Sequence, residues 1–279
     1  SYGYRTFATH PYLSSGWNRV KAYEELGFEG YTFLEDYPNE DYLREYISDR
    51  EMYGYILDCL EETGAQDPLF LFGVTMQNHG GYEYEGDRYT PHIKLTGLEG
   101  DYPKAEQYLS VLHESDMALE YFLTQLQDYP EDTVVVFFGD HLPMLEETIY
   151  TDLYGGELVT MNETLLRYTV PFFIWANFDI PEETVEYTST NYLATHVLET
   201  AGFELPPYYQ YLKDLEQQIP AMNVYGYYSI EKGRFSGYKY LSEEEAKIKN
   251  QYEILQYNGI FGGGDRSEGF FGNYIGQDS

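Results

Sequence analysis

The stretch Thr133-Val134-Val135-Val136-Phe137-Phe138-Gly139-Asp140-His141-Leu142-Pro143 decides the fold class. Its β-branched and aromatic run reads as a buried strand, because such side chains fit a pleated surface covered on both faces. The run stops at Gly139, and a carboxylate and an imidazole follow at once. Open α/β sheets place their chemistry just beyond the carboxyl ends of their strands, and Asp and His are donors that hold divalent metal ions. An ion needs at least a third protein ligand and a transfer reaction needs a nucleophile, so Asp140 and His141 read as half of a site. The plainer alternative is a polar turn after a strand, held tight by Gly139 and Pro143.

Working outward, Pro68-Leu69-Phe70-Leu71-Phe72-Gly73-Val74-Thr75-Met76 is a second continuous apolar run, and it empties into Gln77-Asn78-His79-Gly80-Gly81. Tyr4-Arg5-Thr6-Phe7-Ala8-Thr9 alternates as a strand and runs into His10-Pro11, with shorter strand patterns at 31–33 and 169–175. Helical spacing predicts helices over 19–26, over 104–127 and over 191–201. It also places Met52, Ile56 and Leu60 on the core face of a helix for which Asp49 is the expected cap. Strands alternating with helices predict an α/β fold with a largely parallel sheet flanked by helices. Between 81 and 102 lies a tyrosine- and glycine-rich connection without a period, too long to be idle in a compact domain. After Pro206-Pro207, short tyrosine-rich segments over 222–240 predict a small antiparallel unit. Ser242-Glu243-Glu244-Glu245 is a capping box opening a helix to about Leu255. The expected division is an α/β domain over 1–206 and a small C-terminal antiparallel and helical subdomain over 207–279, with a flexible tail from Gly262. Nothing ahead of the first strand could cap a domain, so the sheet is expected to be N-terminally incomplete.

At 279 residues the chain can bury a sizeable core. A formal charge of −32, from 48 acidic and 16 basic residues, argues against nucleic acid as a partner, since binding a polyanion requires Lys and Arg to neutralise phosphates. Cys59 is the only cysteine, which excludes an intrachain disulfide and a cysteine metal site; beside Ile56 and Leu60 it reads as a structural thiol. No stretch approaches the ~18–20 apolar residues of a membrane span, and no basic region followed by an apolar core opens the chain, so the expectation is a soluble piece. Tyrosine is over-used at 33 residues against 2 tryptophans. Its apolar ring with a polar tip suits half-wet surfaces or carbohydrate contact.

Three motifs fall at strand ends: His10 with Trp17 and Arg19, His79, and Asp140 with His141. On one parallel sheet they would converge on one edge and form one pocket. An imidazole at 79 can contact an anionic substrate or a leaving oxygen, or be a plain loop histidine. The Arg19 guanidinium offers forked donors to phosphate or sulfate and the Trp17 indole an apolar wall, or the pair simply opens a helix. His113 and His196 lie in helical patterns and His92 in the irregular stretch, and none of the three is read as functional.

The string His10-Pro11-Tyr12-Leu13-Ser14-Ser15-Gly16-Trp17-Asn18-Arg19, then Tyr23, Leu26-Gly27-Phe28, Thr75-Met76-Gln77-Asn78-His79 and Gly139-Asp140-His141-Leu142-Pro143, resembles the extracellular catalytic domain of lipoteichoic acid synthases. These are phosphoglycerol transferases of the sulfatase branch of the alkaline phosphatase superfamily. The likeness extends to Tyr252-Glu253-Ile254-Leu255-Gln256-Tyr257 and so covers nearly the whole chain. It implies an alkaline phosphatase-like α/β fold, Asp140 and His141 as ligands of Mn²⁺ or Mg²⁺, and His10, Trp17, Arg19 and His79 around the phosphoglycerol group. His79 is the candidate for proton traffic.

One departure matters. In that family a glutamate completes the metal and a threonine is the nucleophile, both upstream of the motif around His10. This chain begins after them, so it is expected to be a fragment with an incomplete metal site and no turnover of its own. The resemblance further implies attack by that threonine on the phosphate of phosphatidylglycerol with release of diacylglycerol, the metal and Arg19 stabilising charge on the phosphoryl oxygens. A glycerol hydroxyl of a growing polymer or a glycolipid would then take the group. The expected partner is an anionic glycerophospholipid headgroup or a glycerol phosphate polymer. The expected place is the outer face of a Gram-positive membrane, reached only through a missing N-terminal region. An incomplete sheet would invite self-association. Two other readings stand beside this one: a sulfatase or phosphodiesterase of the same superfamily, and a catalytically dead extracellular binding module.

Overall fold

The structure, a computed structural model, describes residues 3–38, 41–63, 67–156, 160–262 and 269–271. The chain forms two compact units, Tyr2–Glu131 with Pro143–Glu157, and Asp132–Leu142 with Leu158–Ser279.

In the first unit β1 (Arg5–His10) leads through α1 (Arg19–Glu25) to β2 (Gly30–Phe33). A hairpin of β3 (Tyr42–Leu43) and β4 (Tyr46–Ile47) precedes α2 (Asp49–Thr63), β5 (Leu69–Gly73), α3 (Pro103–Gln127) and α4 (Glu147–Tyr154). The sheet order is β2-β1-β5, all parallel, so His10 and the turn after β5 leave the same edge. Ala8, Tyr23 and Phe33 bury one face. Helices α2 and α3 pack through stacked Tyr53 and Phe122 rings 4.7 Å apart, a contact worth about 0.5–1.5 kcal/mol beyond its area. Ser48, not Asp49, caps α2, its hydroxyl oxygen accepting from the Glu51 N–H at 3.0 Å. Asp49 fails as a cap because its carboxylate is drawn inward to Ser115.

In the second unit β6 (Val134–Phe138) pairs with β7 (Phe172–Ala176), with α5 (Met161–Leu166) between them in sequence. There follow α6 (Thr190–Thr200), α7 (Pro207–Glu216), the hairpin β8 (Gly226–Ser229) and β9 (Arg234–Gly237), and α8 (Glu243–Phe261). Tyr192, Leu212, Leu215, Tyr227 and Tyr252 form its main core. The capping box at Ser242 and Glu245 is present as read, at 3.2 and 2.8 Å, and α8 continues past Leu255 to Phe261.

The α/β architecture, with a parallel sheet, flanking helices and small antiparallel sheets, is the one expected. One pairing differs: β6 and β7 are antiparallel and, among the described residues, form a sheet apart from β1 and β5. An apolar run reports burial on both faces but carries no signal for strand direction. The boundary read at Pro206 falls inside the second unit, between packed helices α6 and α7. Of the tail read from Gly262, residues 263–268 and 272–279 lie outside the described residues. No described helix is long and apolar enough to cross a membrane.

Helices α6 and α7 are tied by His196 Nε2, 2.9 Å from Glu216 Oε1, with both side chains mostly buried. This hydrogen bond raises the His196 pKa against the opposing effect of burial. A histidine raised in the folded state stabilises in full below its unfolded value of about 6.5, and the effect is lost as pH rises through the folded value. Glu216→Gln is therefore expected to cost about 1–3 kcal/mol at pH 6 and less at pH 9 by urea unfolding. An equal loss at both would remove the charge-pair explanation.

Candidate functional site

His10 ends β1 with no exposed surface. Its Nδ1 lies 2.9 Å from the Val74 carbonyl. A carbonyl only accepts, so Nδ1 carries the proton and Nε2 keeps its lone pair; that nitrogen is buried without a partner. Burial pulls the His10 pKa down to about 4, with Arg19 and His79 contributing, so the ring is neutral near pH 7.

Beyond His10 the backbone enters α1 through two left-handed residues, Trp17 at φ 50° and Asn18 at φ 54°. Such conformations cost non-glycine residues on the order of 1–3 kcal/mol each and persist only where the surroundings impose them. Their effect is to hold the Trp17 ring 57% exposed, 4.9 Å from Tyr12, 5.6 Å from His10 and 6.1 Å from His79. The Arg19 guanidinium lies 5.4 Å from the indole centroid; its Nη1 donates to the Tyr23 hydroxyl at 3.1 Å, and its Nε is buried without a partner.

His79 follows β5 in a turn closed by its own N–H donating to the Met76 carbonyl at 2.9 Å. Its Nδ1 is 3.2 Å from the Tyr46 hydroxyl, and Tyr46 lies 6.4 Å from Tyr12. Trp17, Tyr12, Tyr46 and His79 thus close a ring of aromatic groups. The turn is held from below by Arg44, which is 1% exposed and sits at φ 59° in the β3–β4 turn. Its Nη2 donates to the Gln77 and His79 carbonyls at 2.7 and 3.0 Å, and its Nη1 to the Gly81 carbonyl at 3.2 Å.

A buried polar network backs the same turn. The Asp49 N–H donates to Gln77 Oε1 at 2.9 Å, and Gln77 Nε2 and Asn78 Nδ2 donate to Ser115 Oγ at 2.8 and 2.7 Å. The Ser115 hydroxyl donates to Asp49 Oδ2 at 2.5 Å. Burial pushes the Asp49 carboxyl from its ordinary 3.8 up to about 6, against these hydrogen bonds.

Asp140 and His141 belong to the second unit. The Gly139 N–H donates to the Pro171 carbonyl at 3.1 Å, and a Cβ at 139 would come 2.9 Å from Val170 Cβ, so glycine is what fits beside β7. The His141 N–H donates to Asp140 Oδ1 at 2.8 Å, and His141 Nδ1 lies 3.0 Å from the Leu142 carbonyl, which leaves Nε2 with the lone pair. That nitrogen is 3.5 Å from Asp140 Oδ2, with both side chains exposed. One imidazole nitrogen and one carboxylate oxygen at this spacing fit neighbouring positions on one divalent ion, with the tautomer set by a carbonyl. They supply two donors of the four or more such an ion takes. The strand end borders a cavity of about 620 Å³ whose walls include Phe138, Gly139, Val170 and Met222.

His10, Trp17, Arg19 and His79 therefore meet, and Asp140 meets His141. Sequence reading missed Tyr12, Tyr46, Arg44 and Asp49. Tyr12 lay inside the quoted string, whereas nothing around Arg44 or Asp49 in the sequence signals burial.

A family model described as Sulfatase matches residues 1–203. A Rhizobium meliloti (strain 1021) protein named for cyclic beta-1,2-glucan modification is 28% identical over 282 residues, covering 96% of this chain. The chain spans only 43% of that protein's length. The phosphoglycerol transferase GacH of Streptococcus pyogenes, solved with sn-glycerol-1-phosphate, superposes with a TM-score of 0.68 at 23% identity, over 92% of this chain and 61% of that one. The lipoteichoic acid synthase LtaP from Listeria monocytogenes gives 0.63 at 20% identity, over 94% and 71%. At these identities the two superpositions show the fold alone, an alkaline phosphatase-like α/β fold.

Arg44→Ala leaves three carbonyls without their donor and is expected to cost on the order of 3–5 kcal/mol in urea unfolding. Arg44→Lys should recover only part, because an ammonium cannot match a planar fork; a loss under about 1 kcal/mol in Arg44→Ala would refute the role. Asp49 gives a pH signature. A carboxyl raised in the folded state stabilises most below its unfolded value, and that contribution is lost as pH rises through about 6. The shift corresponds to about 3 kcal/mol. Asp49→Asn should therefore gain stability relative to the parent between pH 4 and pH 7, and a pH-independent difference would contradict the buried-carboxyl account.

Proposed function

The chain belongs to the sulfatase family, and from that premise we propose that it is part of a phosphoglycerol transferase, which binds a glycerol phosphate group and passes it to a hydroxyl of an envelope polymer. The observation that carries this reading is the meeting of an indole wall, a forked cation and two differently prepared imidazoles around Trp17. The Arg19 guanidinium, with its Nε–H unspent, suits phosphoryl oxygens. Neutral His10 offers Nε2 as an acceptor for a glycerol hydroxyl, a role a charged imidazole could not fill. Trp17 packs against the glycerol carbons, and the exposed His79 ring, held at Nδ1 by Tyr46, keeps Nε2 for a proton at the leaving or acceptor oxygen.

Asp140 and His141 are the residues that would hold a divalent ion such as Mn²⁺ or Mg²⁺. When bound, that ion supplies charge stabilisation at phosphoryl oxygens. The donor would be an anionic glycerophospholipid headgroup at the outer face of a bacterial membrane. At a net charge of −32 the protein repels such a surface as a whole, which leaves Arg19 to supply attraction locally. The glucan-modifying relative favours a glycan hydroxyl as acceptor over a glycerol phosphate polymer. Water in that place would make the same site a phosphodiesterase.

Calorimetric titration with sn-glycerol 1-phosphate tests the reading. Binding is expected, weakened about 10- to 100-fold in Arg19→Ala, with inorganic sulfate far weaker than glycerol phosphate. No measurable binding to the parent chain, or equal binding of sulfate, would overturn it.

A further inference from the structure

We propose that His92, His113 and Glu114 form a second divalent-metal site, of zinc type, that clamps the long 81–102 connection to α3. His92 lies in that connection and His113 on the helix, and their rings meet edge-on with centroids 5.2 Å apart. His92 Nε2 and His113 Nδ1 are 3.2 Å from each other. Two imidazoles on one tetrahedral zinc, with bonds of about 2.0–2.1 Å, hold their nitrogens about 3.4 Å apart, close to the 3.2 Å between these two hydrogen-bonded nitrogens. Glu114 Oε1 is 3.8 Å from His92 Nδ1, and one donor atom of each residue lies within 4.8 Å of the other two.

The backbones are already fixed for it. Ser110, fully buried on α3 and three residues before His113, accepts the N–H groups of both His92 and Ile93 at 3.1 and 2.9 Å. One turn earlier Glu106 accepts the Leu95 N–H at 3.0 Å and pairs with Lys94. The histidines are thus presented by a latched segment and a helix, with solvent at hand to complete the coordination. Two imidazole nitrogens and one carboxylate suit zinc and its neighbours, whereas manganese, magnesium and calcium favour oxygen donors. Chain charge raises the local concentration of any cation. The clamped connection begins at Gly81, whose carbonyl Arg44 also holds, so the ion would stiffen the segment leaving the His79 turn.

The test uses the full chain carrying Asp140→Ala and His141→Ala, which removes the other donor pair. Zn²⁺ is titrated in competition with a chromophoric chelator. One Zn²⁺ per chain is expected, with affinity falling about tenfold or more on adding His92→Ala or His113→Ala, and with Mn²⁺ and Ca²⁺ competing poorly. Cu²⁺ in place of zinc should show two imidazole nitrogens by electron paramagnetic resonance, reduced to one in either histidine variant. Both histidines are exposed, so these variants leave the core intact. Absence of stoichiometric Zn²⁺, or unchanged affinity in both histidine variants, would refute the site.

Discussion

The Arg44 guanidinium is the contact on which the first unit's candidate site depends. A buried cation is costly unless its donors are met; here Nη1 and Nη2 are met by the carbonyls of Gln77, His79 and Gly81, all in one turn, while Nε is buried without a partner. The constraint works both ways. Arg44 stays buried because the turn supplies three acceptors, and the turn keeps its shape because a planar fork fixes where those acceptors lie. Tyr46, two residues beyond Arg44 on the same hairpin, then meets His79 Nδ1 without further adjustment. A hairpin of two-residue strands thereby sets both the backbone and the ring of the histidine.

From the other side the turn rests on α2 and α3 through Asp49, Gln77, Asn78 and Ser115. This network contains a carboxyl whose desolvation outweighs its hydrogen bonds, as its raised pKa shows. Apolar packing at that point would be more stable, but it could not hold Gln77 and Asn78 in place. The left-handed Trp17 and Asn18 tell the same story for the second wall of the cluster. Strain and buried polarity gather around His10, Trp17 and His79, where a rigid arrangement matters more than local stability.

Much of this was legible in the sequence, for reasons that also mark the boundary of what was not. Strand runs at β1, β5 and β6, the stripe of α3 and the capping box of α8 are local patterns, and each appears where periodicity and cap chemistry put it. The pairing direction of β6 and β7 is not local, and the apolar run that revealed β7 is the same for either direction. Asp49 was read as a cap because Asp before a helical stripe usually is one. Ser48, next to it, has an equally good oxygen, and only the position of Ser115 on a distant helix decides between them. Arg44 shows the limit most plainly: in sequence it sits among acids and tyrosines, as a surface arginine would. His113 was set aside because it lies in a helical pattern and His92 because it lies in the irregular tyrosine-rich stretch; their juxtaposition comes from Ser110 and Glu106 latching that stretch to α3.

The protonation states carry the last step. His10 and His79 adjoin the same indole, yet only His10 is buried, and a lowered pKa is the consequence of desolvation with Arg19 and His79 adding to it. Burial keeps the His10 ring neutral near pH 7 with its lone pair on Nε2, whereas the His79 ring stands exposed with Nδ1 against the Tyr46 hydroxyl. The asymmetry between the two rings is one of burial. It follows from placing one imidazole at the end of a central strand and the other on a turn at the same sheet edge.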